Sequence, residues 1–262
     1  MKNIHIALSA LLALSLMACP STSDAGSPNP NSTNNPPVDQ SGSSIEAGIM
    51  KGLVTDTQGK PLAGVKVFAG HTLYYNTNAI GVTDTNGRYR IEVRQPTGSW
   101  RATAQLERKF NGKTFGFDLA PNSDDPFTGS SGAIRSFTWK LTGERPDGGH
   151  YGSMVIAYAD FFQPDLSLKQ VELTLEPVGA LVDGSAGRKI TGKLVHTADG
   201  EAIRDVPVGR YKVTARNAVP GETPVALNVR LRNVGEYQNS LIADFSSLLT
   251  TVQQMVLEVS RP

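Results

Sequence analysis

An all-β fold of stacked sheets is what this 262-residue chain predicts, on three observations. The chain holds 26 Gly and 16 Pro with only 7% aromatic residues, a turn-rich composition that suits sandwiches better than helical bundles. Two turns of one type, Asp56-Thr57-Gln58-Gly59 and Asp84-Thr85-Asn86-Gly87, punctuate it. In each, the Asp side chain can cap backbone donors and the Gly can take a positive φ. The runs beside these turns alternate: Val65 and Val67 flank Lys66, and Tyr89, Ile91 and Val93 share a face, as in half-buried strands.

At the amino terminus Lys2 precedes an apolar and small-residue run over 6–17, which closes on Leu16-Met17-Ala18-Cys19. This reads as a charged region, a short apolar core and a cleavage region. The run is shorter than the roughly 20 apolar residues of a membrane-spanning helix. It resembles a lipoprotein signal peptide, with Leu16 at minus three, Ala18 at minus one and Cys19 as the lipidated new terminus; Met17 departs from the usual pattern. The resemblance implies a signal peptide over 1–18 and a chain held to a membrane by acyl groups without spanning it. An ordinary secretory signal with Cys19 incidental is the alternative. Cys19 is also the only cysteine, so an internal disulfide or a cysteine zinc cluster is excluded. Residues 20–44 are Ser, Asn, Pro and Gly with Ala25 and Val38 as apolar members and too little apolar surface to fold, so 19–44 reads as a disordered tether.

Residues 49–104 carry the clearest pattern. It runs Gly52-x-Val54-x-Asp56-x-x-Gly59-x-Pro61-Leu62-x-Gly64-Val65-x-Val67, then Thr83-Asp84-x-x-Gly87-x-Tyr89-x-Ile91-x-Val93, then Pro96-x-Gly98-x-Trp100. These blocks resemble the carboxypeptidase regulatory-like family, a transthyretin-like (prealbumin-like) β-sandwich, with Trp100 where Tyr is common. The resemblance implies a domain that performs no chemistry itself and accompanies peptidases, transporters and surface proteins. It speaks to fold more than to function.

The closing block recurs. Pro96-Thr97-Gly98-Ser99-Trp100-Arg101-Ala102-Thr103-Ala104 matches Pro207-Val208-Gly209-Arg210-Tyr211-Lys212-Val213-Thr214-Ala215 in its Pro, Gly, aromatic, basic and Thr-Ala positions. Upstream, Ile190-Thr191-Gly192-Lys193-Leu194-Val195 and Ala198-Asp199-Gly200-Glu201 echo the Gly52 strand and its turn. Short apolar stretches at 154–158, 171–175, 225–229, 240–245 and 255–259 add strand signals. The expected division is therefore a first sandwich over 45–142 and a second over 143–262. Residues 111–132 read as a long loop, and 245–254 is the stretch that admits a helical turn.

Chemistry is sparse. His71, His150 and His196 stand apart, with no His-x-x-Glu or His-Glu-x-x-His pairing to hold zinc. Gly129-Ser130-Ser131-Gly132 misses the spacing of a hydrolase nucleophile elbow, and no phosphate-cradling glycine motif opens a helix. Asp124, Asp125 and Asp147 could ligate calcium but read more readily as turn residues. A net charge of +1 gives no field to steer nucleic acid. Recognition falls to aromatic residues: Tyr74 and Tyr75 in a polar loop are the candidate ligand contacts, with His150-Tyr151 after a Gly-rich stretch, whereas Trp139 alternates with Phe137 and Leu141 as core.

The expectation is a non-catalytic lipoprotein of the cell envelope, facing periplasm or exterior, without cofactor or metal. Its sandwiches would bind or scaffold a glycan, a peptide or an envelope protein. The alternatives are a hydrolase of envelope polymers with a loop-built site, and an accessory subunit of a separate peptidase or transporter.

Overall fold

The computed structural model describes residues 44–262, which belong to one compact unit. Cys19, the 1–18 leader and all but the last residue of the 19–44 segment lie outside the described residues. The fold is all-β, with one 3-10 turn at Leu168–Gln170.

Residues 49–139 form β1 (Ile49–Asp56), β2 (Lys66–His71), β3 (Asn78–Val82), β4 (Arg88–Glu92), β5 (Ser99–Phe110) and β6 (Lys113–Asp118). Four short strands follow: β7 (Ala120–Pro121), β8 (Phe127–Thr128), β9 (Ala133–Ile134) and β10 (Phe137–Trp139). They make two five-stranded sheets. One runs β4-β1-β10-β7 with β9 on β1, the other β3-β2-β5-β6 with β8 on β5. Alternation decides what meets between them: Met50 and Val54 of β1, Val67 and Ala69 of β2, Trp100, Ala102, Ala104 and Leu106 of β5, and Phe137 and Trp139 of β10 are all buried in one cluster. Trp139 is core, as its alternation predicts.

The two Asp-x-x-Gly turns are built alike. Asp56 Oδ1 accepts from the Gln58 and Lys60 amides at 2.9 Å each, and Asp84 Oδ1 accepts from Asn86 and Arg88 at 2.8 and 2.9 Å. Gly59 and Gly87 close them at φ +82° and +72°, where a Cβ is disfavoured. Thr83 ties the layers together: its hydroxyl donates to the Leu62 carbonyl at 2.7 Å and accepts from the Val65 amide at 2.9 Å, both buried.

Residues 153–260 form β11 (Ser153–Ala159), β12 (Val171–Pro177), β13 (Ile190–Lys193), β14 (Val195–Thr197), β15 (Gly200–Val206), β16 (Arg210–Asn217), β17 (Val225–Leu231), β18 (Val234–Gln238), β19 (Leu241–Asp244), β20 (Ser246–Leu249) and β21 (Val252–Ser260). β17 joins two layers. Its first residues pair with β16 and its last with β21.

The connections repeat those of the first set. β1 lies between antiparallel β4 and parallel β10; β11 lies between antiparallel β15 and parallel β21. β2 lies between antiparallel β3 and β5; β12 lies between antiparallel β13 and β16. The two closing blocks therefore occupy one place, with Trp100 in β5 and Tyr211 in β16 both buried. Their polar atoms fare differently. The Tyr211 hydroxyl donates to the Pro207 carbonyl at 2.8 Å, while Trp100 Nε1 has no partner.

Three expectations are corrected. The Ile190 stretch is not the counterpart of the Gly52 strand: β13 holds the place of β3, and β11 holds that of β1. The Asp199-Gly200 turn correspondingly opens β15 as Asp84–Gly87 opens β4, and the counterpart of Asp56–Gly59 is Asp160-Phe161-Phe162-Gln163. Residues 111–132 are not wholly loop, because Lys113–Asp118 pairs with β5 over six residues. Residues 245–254 carry no helical turn; β20 and β21 form a hairpin there, since β21 is held by β11 and β17 and pairing overrides local propensity.

Candidate functional site

Loop 72–77 leaves the end of β2 and returns as β3. Its base is closed by His71 N–H donating to the Thr77 carbonyl at 2.9 Å and Thr72 N–H donating to that of Ser99 at 2.9 Å. The His71 ring holds the loop from within. Nδ1 accepts from the Leu73 and Tyr74 amides at 3.2 and 3.3 Å, so the proton sits on Nε2, which faces the Thr97 carbonyl at 3.4 Å. The ring is buried, edge-on to Trp100 at 4.9 Å and against Tyr74 at 4.6 Å.

This scaffold presents apolar surface to solvent. Leu73 is 80% exposed, Tyr74 55% and Tyr75 100%. The two candidate tyrosines thus share a loop but differ in role: Tyr74 spends one face on His71, and Tyr75 is free. Sequence reasoning missed Leu73 and the part played by His71. Replacing His71 with Ala leaves two amides without their acceptor, at a cost of about 1–2 kcal/mol to loop order. Hydrogen exchange at Leu73 and Tyr74 should then accelerate by roughly tenfold; unchanged exchange would mean that the loop does not depend on the ring.

A second exposed aromatic pair stands at the end of β11. Asp160 Oδ1 accepts from the Phe162 amide at 2.8 Å and the Gln163 amide donates to the Asp160 carbonyl at 2.9 Å, the pattern of the Asp56 turn. Phe161 and Phe162 occupy the places of Thr57 and Gln58, are 89% and 87% exposed, and meet edge-to-face at 5.5 Å. The turn type needs no apolar residue there, as Asp56–Gly59 demonstrates. Arg261 braces it through Asp165, 2.9 Å away, and by donating its amide to Gln163 Oε1 at 2.7 Å.

A cleft of about 330 Å³ lies where β6 meets segment 143–153 and the β20–β21 hairpin. Arg145 crosses it, paired with Asp118 at 3.0 Å and over the Tyr151 ring at 5.0 Å. Asp205 accepts from the Gly143 amide at 2.9 Å and the Gly152 amide at 3.0 Å, fixing the cleft wall. Arg145 and Asp118 thus pair with each other and Asp205 is spent on backbone amides, while Arg204 also lines the cleft.

The other polar candidates are dispersed. Asp124 pairs with Arg101 at 2.8 Å, Asp125 meets Ser123, and Asp147 caps Gly149 at 3.2 Å. His196 meets Glu201 at 3.0 Å on the β14–β15 hairpin, and Ser130 and Ser131 lie in the turn after β8. Among the described residues, no three His, Cys, Asp or Glu side chains are grouped to hold a metal ion, and no helix is long and apolar enough to cross a membrane.

No protein-family model matches the chain, and no curated protein does. Among solved structures it is similar to the Bacillus anthracis TIE protein, at 12% identity and a TM-score of 0.31 over 83% of this chain and 34% of that one. It is similar to the Streptococcal ancillary pilin at 13% and 0.25, covering 82% and 62%, and to a C-terminal fragment of the pilus adhesin SpaC from Lactobacillus rhamnosus GG at 11% and 0.25, covering 83% and 98%. The chain spans about a third of the length of the first of these. At such TM-scores the likeness assigns this chain neither a fold family nor a partner.

Proposed function

We propose that this chain is a non-catalytic lipoprotein of the cell envelope, anchored through Cys19, that displays two carboxypeptidase regulatory-like sandwiches, 45–142 and 143–262, on a flexible 19–44 stalk. Its work is contact, either binding or scaffolding, with Tyr74 and Tyr75 as ligand-contacting residues and a glycan, a peptide or an envelope protein as partner. The observation that carries this reading is the paired arrangement of rigid turns whose only exposed large side chains are apolar: Leu73, Tyr74 and Tyr75 on one, Phe161 and Phe162 on the other. Large flat rings held on braced loops give contact area with few rotors to freeze.

Cys19→Ala is expected to move the protein from the membrane fraction to the soluble fraction, because acyl chains supply the anchoring. Fractionation of cells expressing the two forms checks this, and retention of the variant on membranes would sink the lipoprotein reading. For the contact itself, the full chain is tested on an array of envelope glycans and peptides beside its Tyr74→Ala/Tyr75→Ala variant. Equal binding by both would remove these tyrosines from the site.

A further inference from the structure

We infer that loop 72–77 rests on the lipid surface to which the chain is tethered, with Leu73 inserted among acyl chains and Tyr74 and Tyr75 at the headgroup level. The inference rests on the anchoring reading above and, for this loop, puts the lipid surface in place of a glycan, peptide or protein partner. Its ground is where the fold puts the loop.

A row of backbone hydrogen bonds crosses one end of the first sandwich and links loop 72–77 to the point at which the described chain begins. Thr72 N–H donates to the Ser99 carbonyl at 2.9 Å, Gly129 N–H to Gly98 at 2.9 Å, and Gly48 N–H to Ser130 at 3.0 Å. Loop 72–77, segment 94–99, turn 128–132 and residues 44–48 therefore form a single end face. The preceding segment, 19–44 in the tether reading, joins the fold at that face, so a lipid at Cys19 keeps the face within the reach of a flexible stalk, about 30 Å, of the bilayer.

The chemistry of the face suits that neighbour. Leu73, Tyr75 and part of Tyr74 are exposed there, as is Ile45. Tyrosine favours the membrane interface, where its ring meets acyl chains and its hydroxyl meets water. Loop 72–77, segment 94–99 and turn 128–132 contain no carboxylate and one cation, Arg94, so nothing in them repels anionic headgroups. Glu46 is paired with Lys51 and Arg90 at 3.2 and 2.6 Å. Phe161 and Phe162 are not part of this face. Their turn is held by Asp160, Gln163, Asp165 and Arg261, and among the described residues none of the hydrogen bonds that join the end face reaches it.

The test uses the full lipidated chain carrying Tyr75→Trp, reconstituted in vesicles of phosphatidylethanolamine and phosphatidylglycerol with or without brominated acyl chains. Trp100 and Trp139 are buried and give a constant background. The emission added by Trp at position 75 should be at least halved by bromine, and that of a Phe162→Trp chain should not change. Unquenched emission at position 75 in sedimented vesicles overturns the lipid contact while leaving the anchor intact, as does binding of a soluble glycan or peptide that Tyr75→Ala abolishes. Protein left in the supernatant overturns the anchor reading and this contact with it. Should the Trp variant not fold, exchange of the native chain decides: vesicles should slow the amides of 73–76 and leave 161–162 unaffected, and equal rates with and without vesicles refute the contact.

Discussion

Gly52→Ala is expected to cost about 3 kcal/mol and to lower Tm by roughly 10 °C. Gly52 lies in the middle of β1, directly opposite Tyr89 of β4, and a Cβ there would overlap the carbonyl oxygen of Arg135. That carbonyl approaches because the Tyr89 hydroxyl donates to it, and burial pushes the Tyr89 phenol far above its ordinary pKa, so the donor keeps its proton. Glycine in a strand interior marks such a close backbone approach. Neither partner can yield: Arg135 N–H donates to the Lys51 carbonyl at 2.9 Å, and β1 is held on both sides by β4 and β10.

Gly59→Ala is the control. A Cβ at Gly59 meets nothing within 4 Å, and its φ of +82° is the sole obstacle, which sets the cost near 1 kcal/mol. Tyr89→Phe removes one buried hydrogen bond, also about 1 kcal/mol. The Gly52→Ala and Tyr89→Phe costs should fall short of additivity, since each disturbs the same carbonyl. Calorimetry on the wild type, the three single variants and the Gly52→Ala/Tyr89→Phe chain checks the set. A Gly52→Ala protein melting with the Gly59→Ala protein would refute the close approach.

The same residues tell how much the sequence made legible. Strands β1, β2, β4 and β5 could be read because period-two burial coincides with Asp-x-x-Gly turns, and Gly52, Thr83 and Tyr89 are there for backbone reasons that leave a pattern. Tyr74 and Tyr75 were legible as loop residues because polar and turn-forming neighbours surround them. What stayed hidden lacks local cause. β6 carries Gly116 and Asp118, poor strand formers, and is a strand because β5 extends far enough to pair with it. The kinship of β11 with β1 is masked because Phe161, Phe162 and Gln163 replace the turn residues while Asp160 alone preserves the hydrogen bonding. An aromatic pair following an apolar strand reads as core, and only its exposure in the fold says otherwise. His71 gave no signal because its work is done on backbone amides, which any sequence supplies.

Gln253→Leu is expected to loosen the packing of β21 on β6 and to split thermal unfolding into two transitions. Gln253 is buried, and its Nε2 donates to the Gly116 carbonyl at 2.6 Å while the Gly116 amide donates to the Thr250 carbonyl at 3.1 Å. Leucine keeps the volume and leaves that carbonyl unpaired, at a cost of about 2 kcal/mol. The remaining side-chain ties are few: Asn111 to Asp244 at 2.8 Å, Lys113 to the Phe245 carbonyl at 2.9 Å, the Ser247 hydroxyl to the Thr114 carbonyl at 3.4 Å and Arg145 to Asp118. Contacts of this kind resemble transient interfaces, so one lost buried partner can separate two cooperative units. Acid should act in the same direction. The Arg210 guanidinium, helped by the Asn111 amide, holds the Asp244 carboxyl below its ordinary pKa. Its contribution is therefore complete above the unfolded-state pKa and disappears as pH falls through the depressed value. Calorimetry of Gln253→Leu at neutral pH, and of the wild type down a pH series, reads both effects. A single transition with equal calorimetric and van't Hoff enthalpies in the variant would mean that the shared core, and not Gly116 and Gln253, couples the two halves.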